Sequence, residues 1–189
     1  HSDIYDEFLE HCKDRLEQVR IGHPLDPSSE MGPVVNAKQC DRVLGYQEKG
    51  QAAGAECLFG GGRATVEGFE GHYVKPALLA GSLDNVAARE EIFGPVAYLA
   101  KFETEEEAIE MANDTNYGLA NSVWTDDADR AARVAEAMVA GNSWINAHNV
   151  FAHGVPYGGV NKSGLGGGVL SIETLLDYYR STSVVRPLT

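Results

Sequence analysis

Apolar and polar positions alternate along this chain in a way that divides it into short elements. Ile4, Phe8, Cys12, Leu16 and Val19 recur at helical spacing, which predicts a helix over residues 2–19 that Ser2 or Asp3 can cap. Residues 22–32 hold turn formers, with Pro24, Pro27 and Pro33 punctuating the stretch, and read as a loop. A second helix is expected over 36–49, stopped by Gly50. Residues 56–59 read as a short strand before the cluster Gly60–Gly62, and residues 73–79 as an extended segment in which Pro76 suits a sheet edge or a strand start.

The alternation sharpens downstream. Residues 96–102 read as a strand, and Thr104 with Glu107 forms a capping box that opens a helix running to Asn113. A short strand over 122–124 and an alanine-rich helix over 126–139, ended by Gly141, come next. Residues 143–145 are a further strand, 171–179 are helical, and 182–186 form a last strand. Strands and helices joined by short links imply crossover connections. The expected fold is therefore α/β, a largely parallel twisted sheet with flanking helices, built as one domain over 1–165 with a helix and strand over 166–189.

A chain of 189 residues suffices for one substantial core. A net charge of −13 argues against sequence-independent nucleic-acid binding, which needs clustered Lys and Arg. No apolar run approaches the roughly 18 residues of a spanning helix, so no membrane partner is expected. The start at His1 predicts an internal beginning rather than a signal peptide. Cys12, Cys40 and Cys57 are odd in number and lack a CxxC pair, which points to a reducing, cytoplasmic setting and to burial of each as a small hydrophobe. No metal site is expected.

The string Glu90-Glu91-Ile92-Phe93-Gly94-Pro95-Val96, taken alone, is two solvated acids and a bend. Its company changes that reading. Upstream lie Ile4-Tyr5-Asp6-Glu7-Phe8 and Met31-Gly32-Pro33. Downstream lie Asn113-Asp114-Thr115-Asn116-Tyr117-Gly118-Leu119-Ala120 and Gly141-Asn142-Ser143-Trp144-Ile145-Asn146, then Pro156-Tyr157-Gly158-Gly159 and Lys162-Ser163-Gly164. In order and spacing the series resembles the NAD(P)-dependent aldehyde dehydrogenase superfamily over nearly the whole chain.

The resemblance implies the catalytic-domain portion of an enzyme that oxidises an aldehyde to a carboxylic acid through a cysteine thioester, with NAD or NADP as cofactor. It implies that Glu91 accepts hydrogen bonds from the nicotinamide ribose and that Phe93 packs on the nicotinamide. Glu90 is expected to stay structural, with Gly94-Pro95 fixing the turn that aims Phe93. No residue of this chain takes a catalytic role in that scheme, since the family's nucleophilic cysteine and base glutamate fall upstream of the position matching His1. The fragment alone is accordingly expected to be inactive.

The resemblance further implies that the loop between Asn146 and Gly158 lines the pocket for a small-molecule aldehyde. Its candidates are Asn149, Phe151 and Tyr157, together with His148 and His153; the alternative is a surface loop with two solvated histidines. The tail over 182–186 resembles the strand through which such enzymes form homodimers or homotetramers. Tyr157 stands where Phe is frequent, and in Ser163-Gly164-Leu165-Gly166-Gly167-Gly168 the Arg-Glu pair that many relatives carry after the second Gly is absent. These glycines follow no clear strand, and they are not read as a phosphate cradle. A non-catalytic assembly module and a coenzyme A-acylating relative are the competing readings.

Overall fold

The computed structural model describes residues 1–165 and 168–188. The chain gathers into two compact units, His1–Thr104 and a second that begins at Glu105.

In the first unit a 3₁₀ turn, Ser2–Ile4, leads into α1, Tyr5–Glu17. Its packed stripe is shifted from the one the spacing predicts. Tyr5, Leu9, Cys12, Leu16 and Val19 are half-buried, whereas Ile4 and Phe8 keep 56% and 51% of their surface exposed. The aromatic Tyr5 anchors this stripe, with the Lys101 ammonium 4.3 Å from its ring centroid.

Helix α2, Ala37–Ala52, is capped by Asn36, whose side chain accepts from the Gln39 amide. The helix runs through Gly50 rather than stopping there. A Cβ on Gly50 would come within 2.8 Å of Ala87 Cβ, so glycine lets the next helix approach. That helix, α3, Val86–Arg89, is a single turn with no periodicity to announce it. Asn85 builds it from a buried position: its Oδ1 accepts from the Ala87 amide at 2.9 Å, and its Nδ2 donates to the Gly50 carbonyl at 2.9 Å.

Strands β1 (Glu56–Gly60), β2 (Ala77–Ala80) and β3 (Val96–Leu99) form one sheet in that order, β1 antiparallel and β3 parallel to β2. The expected parallel sheet is therefore mixed. The link from β1 to β2 contains no helix and returns through Gly60, Gly61 and Gly62, all at positive φ, which suffices for an antiparallel neighbour. A Cβ on Gly60 would sit 2.0 Å from the Pro76 carbonyl oxygen, so the turn requires glycine. Cys40, Val43, Tyr46, Val74, Leu79, Ala87 and Ile92 form the core between α2 and this sheet.

The second unit starts with α4, Glu105–Asn113. Strands β4 (Ala120–Val123) and β5 (Asn142–Ile145) pair in parallel, and α5, Ala128–Ala137, makes the crossover. Asp127 caps α5 by accepting from the Arg130 amide. Ala131 and Val134 supply its buried face. Asn113 ties α4 to the end of α5, donating to the Ala137 carbonyl and accepting from the Val139 amide. Helix α6 is short, Ile172–Leu176.

Residues 182–186, expected as a strand, carry no strand pairing and lie exposed, because among the described residues no neighbouring segment offers them backbone partners. Of the segment in which the Arg-Glu pair is absent, Gly166 and Gly167 lie outside the described residues. Among the described residues no helix is long and apolar enough to cross a membrane, and no cluster of His, Cys, Asp or Glu could hold a metal.

Candidate functional site

Two sites emerge, one in each unit. The first is the loop between α3 and β3. Ile92 is buried in the core, while Glu91 and Phe93 on either side of it are exposed, so alternation along three residues aims two side chains outward. Gly94 rests against α2 so closely that a Cβ would lie 2.4 Å from Val43 Cγ2. Phe93 adopts φ 56°, a left-handed conformation that costs a non-glycine residue and persists only where its surroundings enforce it.

Those surroundings are the side chains of α2. Gln39 Nε2 donates to the Ile92 carbonyl at 3.1 Å and to the Phe93 carbonyl at 2.8 Å. Arg42 donates to the Glu91 carbonyl at 2.7 Å. The Tyr46 hydroxyl donates to the Glu90 carboxylate, and the Arg42 guanidinium lies over the Tyr46 ring. Glu90 is thus part of the anchor. The Phe93 ring is 78% exposed, a flat apolar face held by its backbone rather than by packing of its own. An exposed carboxylate two residues from such a ring fits a nucleoside whose ribose hydroxyls donate and whose base is planar.

The second site is a cavity of about 430 Å³ lined chiefly by Trp144, Val150, Phe151, Val155, Tyr157 and Leu170. Trp144 and Tyr157 lie near-parallel with centroids 6.2 Å apart, and Phe151 meets the Tyr157 ring edge-on at 4.9 Å. Trp144 also donates its indole N–H to the Val150 carbonyl at 2.9 Å. Tyr157 is fixed by two backbone hydrogen bonds with Val169, at 3.0 and 2.9 Å.

Asn146 starts the loop. It takes φ 49°, which asparagine tolerates, and its side chain donates to the Thr125 carbonyl and accepts from the Thr125 amide, both at 2.9 Å. The loop therefore leaves from the rigid end of β5.

Of the five expected pocket residues, Phe151 and Tyr157 line this cavity, and His148, Asn149 and His153 are not among its lining residues. His148 instead meets Trp144 edge-on at 5.3 Å, and its Nδ1 lies 2.8 Å from the Ser122 hydroxyl. Asn149 occupies a second left-handed turn at φ 54°, and His153 is exposed. Trp144 and Leu170 were not anticipated: the first reads as a strand residue, and the second enters from beyond the glycine-rich segment.

The remaining motifs are packing devices. The Gly118 amide donates to the Ser163 hydroxyl at 3.0 Å, and the Gly118 carbonyl accepts from the amides of Gly141 and Val160 at 3.0 and 2.9 Å. A Cβ on Gly141 would meet the Gly158 carbonyl at 1.6 Å, so these two segments touch through backbone alone.

A family model described as "Aldehyde dehydrogenase family" matches residues 1–184. A betaine aldehyde dehydrogenase of Brucella anthropi is 44% identical over 168 residues, covering 88% of this chain and 34% of that protein. An aldehyde dehydrogenase of Deinococcus radiodurans is 42% identical over 180 residues, covering 95% of this chain and 35% of that protein. The crystal structure of betaine aldehyde dehydrogenase from Staphylococcus aureus in complex with NAD+ superposes with a TM-score of 0.88 at 34% identity, over 93% of this chain and 35% of that one. The chain spans about a third of the length of the relatives it matches.

Proposed function

The chain belongs to the aldehyde dehydrogenase family, and we propose that it is the catalytic-domain portion of an enzyme that oxidises a small aldehyde to a carboxylic acid. In this reading NAD or NADP, when bound, would supply the hydride acceptor for the adduct that the aldehyde forms with a cysteine thiolate from outside this chain, and water would release the resulting thioester as the acid. Glu91 receives hydrogen bonds from the nicotinamide ribose hydroxyls, and Phe93 offers its exposed ring to the nicotinamide. Phe151 and Tyr157, with Trp144 behind them, form an apolar wall for the aldehyde's organic group.

The observation that carries the proposal is the pairing at Glu91 and Phe93 of an exposed carboxylate with an exposed ring on a backbone held in a costly conformation. A surface bend would relax Phe93 to negative φ or turn its ring inward. The aromatic wall supports an aldehyde with an apolar or cationic body, since stacked and edge-on rings can receive either.

The nucleophile does not come from this chain's cysteines in this reading. Cys40 is buried in the core and accepts a hydrogen bond from Arg63, Cys12 is half-buried on α1, and Cys57 on β1 is not among the residues that build either site. The exposed residues Val184 and Val185 of the tail suit strand pairing with a second copy of the enzyme. Assaying aldehyde-dependent NADH formation tests the proposal. A longer protein that carries this chain should turn over, and purified residues 1–189 should not. Turnover by residues 1–189 alone would overturn these roles.

A further inference from the structure

We infer that Gln39 is a positioning residue for the cofactor, setting the backbone from which Phe93 presents its ring. This rests on the reading of Glu91 and Phe93 as the residues that meet the nicotinamide riboside. Gln39, Arg42 and Tyr46 lie three and four residues apart and therefore share one face of α2. They meet the loop in reverse chain order, Tyr46 at Glu90, Arg42 at Glu91, and Gln39 at Ile92 and Phe93.

The Gln39 contact differs in kind from the other two. The orientation of the Phe93 side chain follows from its φ and ψ, and those angles relate the peptide plane that holds the Ile92 carbonyl to the plane that holds the Phe93 carbonyl. The Gln39 carboxamide binds both carbonyls, using the two hydrogens of one nitrogen. One side chain thus pins both planes that bracket the left-handed residue. The aromatic ring cannot do this for itself, being 78% exposed. Glycine at 94 lets the loop lie flat on Val43 and brings the carbonyls within reach.

The Gln39 carboxamide itself is well placed to serve. It stands on the first turn of α2, where the Asn36 cap fixes the Gln39 backbone amide at 2.9 Å. Cys40, its neighbour, is fully buried and locks the rotation of the helix. Gln39 sits at the edge of the core and not in it, so its replacement leaves the packing of α2 in place.

The test uses Gln39→Met, which keeps the length and removes both donors, with Phe93→Ala as a reference. In residues 1–189, exchange of the Val96 amide, which donates to the Gly94 carbonyl at 2.7 Å, should accelerate by about tenfold, the size expected for losing two neutral hydrogen bonds, with the amides of α2 unchanged. In the longer protein, single-turnover hydride transfer should slow by about tenfold while the Kd for NAD+ stays near the wild-type value. Wild-type exchange, or faster exchange with hydride transfer unchanged, overturns the inference. If Phe93→Ala also transfers hydride at the wild-type rate, the cofactor reading falls with it; if Phe93→Ala is slow and Gln39→Met is not, only the role of Gln39 falls.

Discussion

Gly94 and Val43 are in backbone-to-side-chain contact so tight that a single added carbon on Gly94 would lie 2.4 Å from Val43 Cγ2. Val43 is wholly buried, so it cannot swing away into solvent. The loop that carries Glu91 and Phe93 is therefore seated on the core by the absence of a side chain. Gly94→Ala should destabilise the chain by about 1–3 kcal/mol, the usual cost of overpacking a dense core. Urea unfolding checks this. In a Val43→Ala background the added methyl finds room, and the cost of Gly94→Ala should shrink.

The second unit carries its own acid-sensitive contact. Arg133 donates to both oxygens of Glu105 at 3.1 and 3.0 Å, and Arg130 adds a third contact at 3.3 Å. The hydrogen bond from Arg133, then the charges of Arg133 and Arg130, hold the Glu105 carboxyl below the ordinary glutamate range. A carboxyl whose folded pKa is depressed adds stability above its unfolded value, about 4.3, and loses it as pH falls through the lower folded value. Unfolding of the wild type should therefore become easier as pH drops below that range. Glu105→Gln should flatten this part of the profile, measured by denaturant midpoint between pH 6 and pH 3, roughly the span over which a carboxylate titrates.

Three thiols should react with a disulfide reagent at three different rates. Cys57 is exposed and should react first. Cys12 is half-buried, and burial pushes its thiol pKa up, so less thiolate is available and its reaction is slower. Cys40 is inaccessible and should wait for unfolding of the core. Cys57→Ser should abolish the fast phase and leave the others, as followed by reagent absorbance.

The contrast among these cysteines shows where local sequence pattern stops being informative. Each reads as a buried small hydrophobe, and for Cys40 the core of α2 agrees. Cys57 is exposed because it lies on the edge strand β1 and is not among the residues packed into the core, a matter of tertiary packing that local alternation does not encode. The antiparallel pairing of β1 escaped for the same reason: its link is closed by three left-handed glycines that read only as a flexible cluster.

Periodicity reveals α1, α2, α4 and α5 within a few residues, since each has a cap or an apolar face of its own. Helix α3 stayed invisible because a single turn has no period, and its determinant, Asn85, acts through α2 at Gly50. The candidate site divides in the same way. Glu91 and Phe93 stood out as a contiguous string, and so did Phe151 and Tyr157. Gln39 did not, because its partners lie 53 and 54 residues away. Trp144 read as a strand residue until the fold brought it against Tyr157.

The proposal that Glu91 and Phe93 position the cofactor is tested most directly by the single-turnover NADH burst of the longer protein with Glu91→Gln. Glutamine keeps the shape and gives up the charge that strengthens hydrogen bonds from ribose hydroxyls. At saturating cofactor and aldehyde the burst should slow by about tenfold or more. A burst at the wild-type rate would contradict that role.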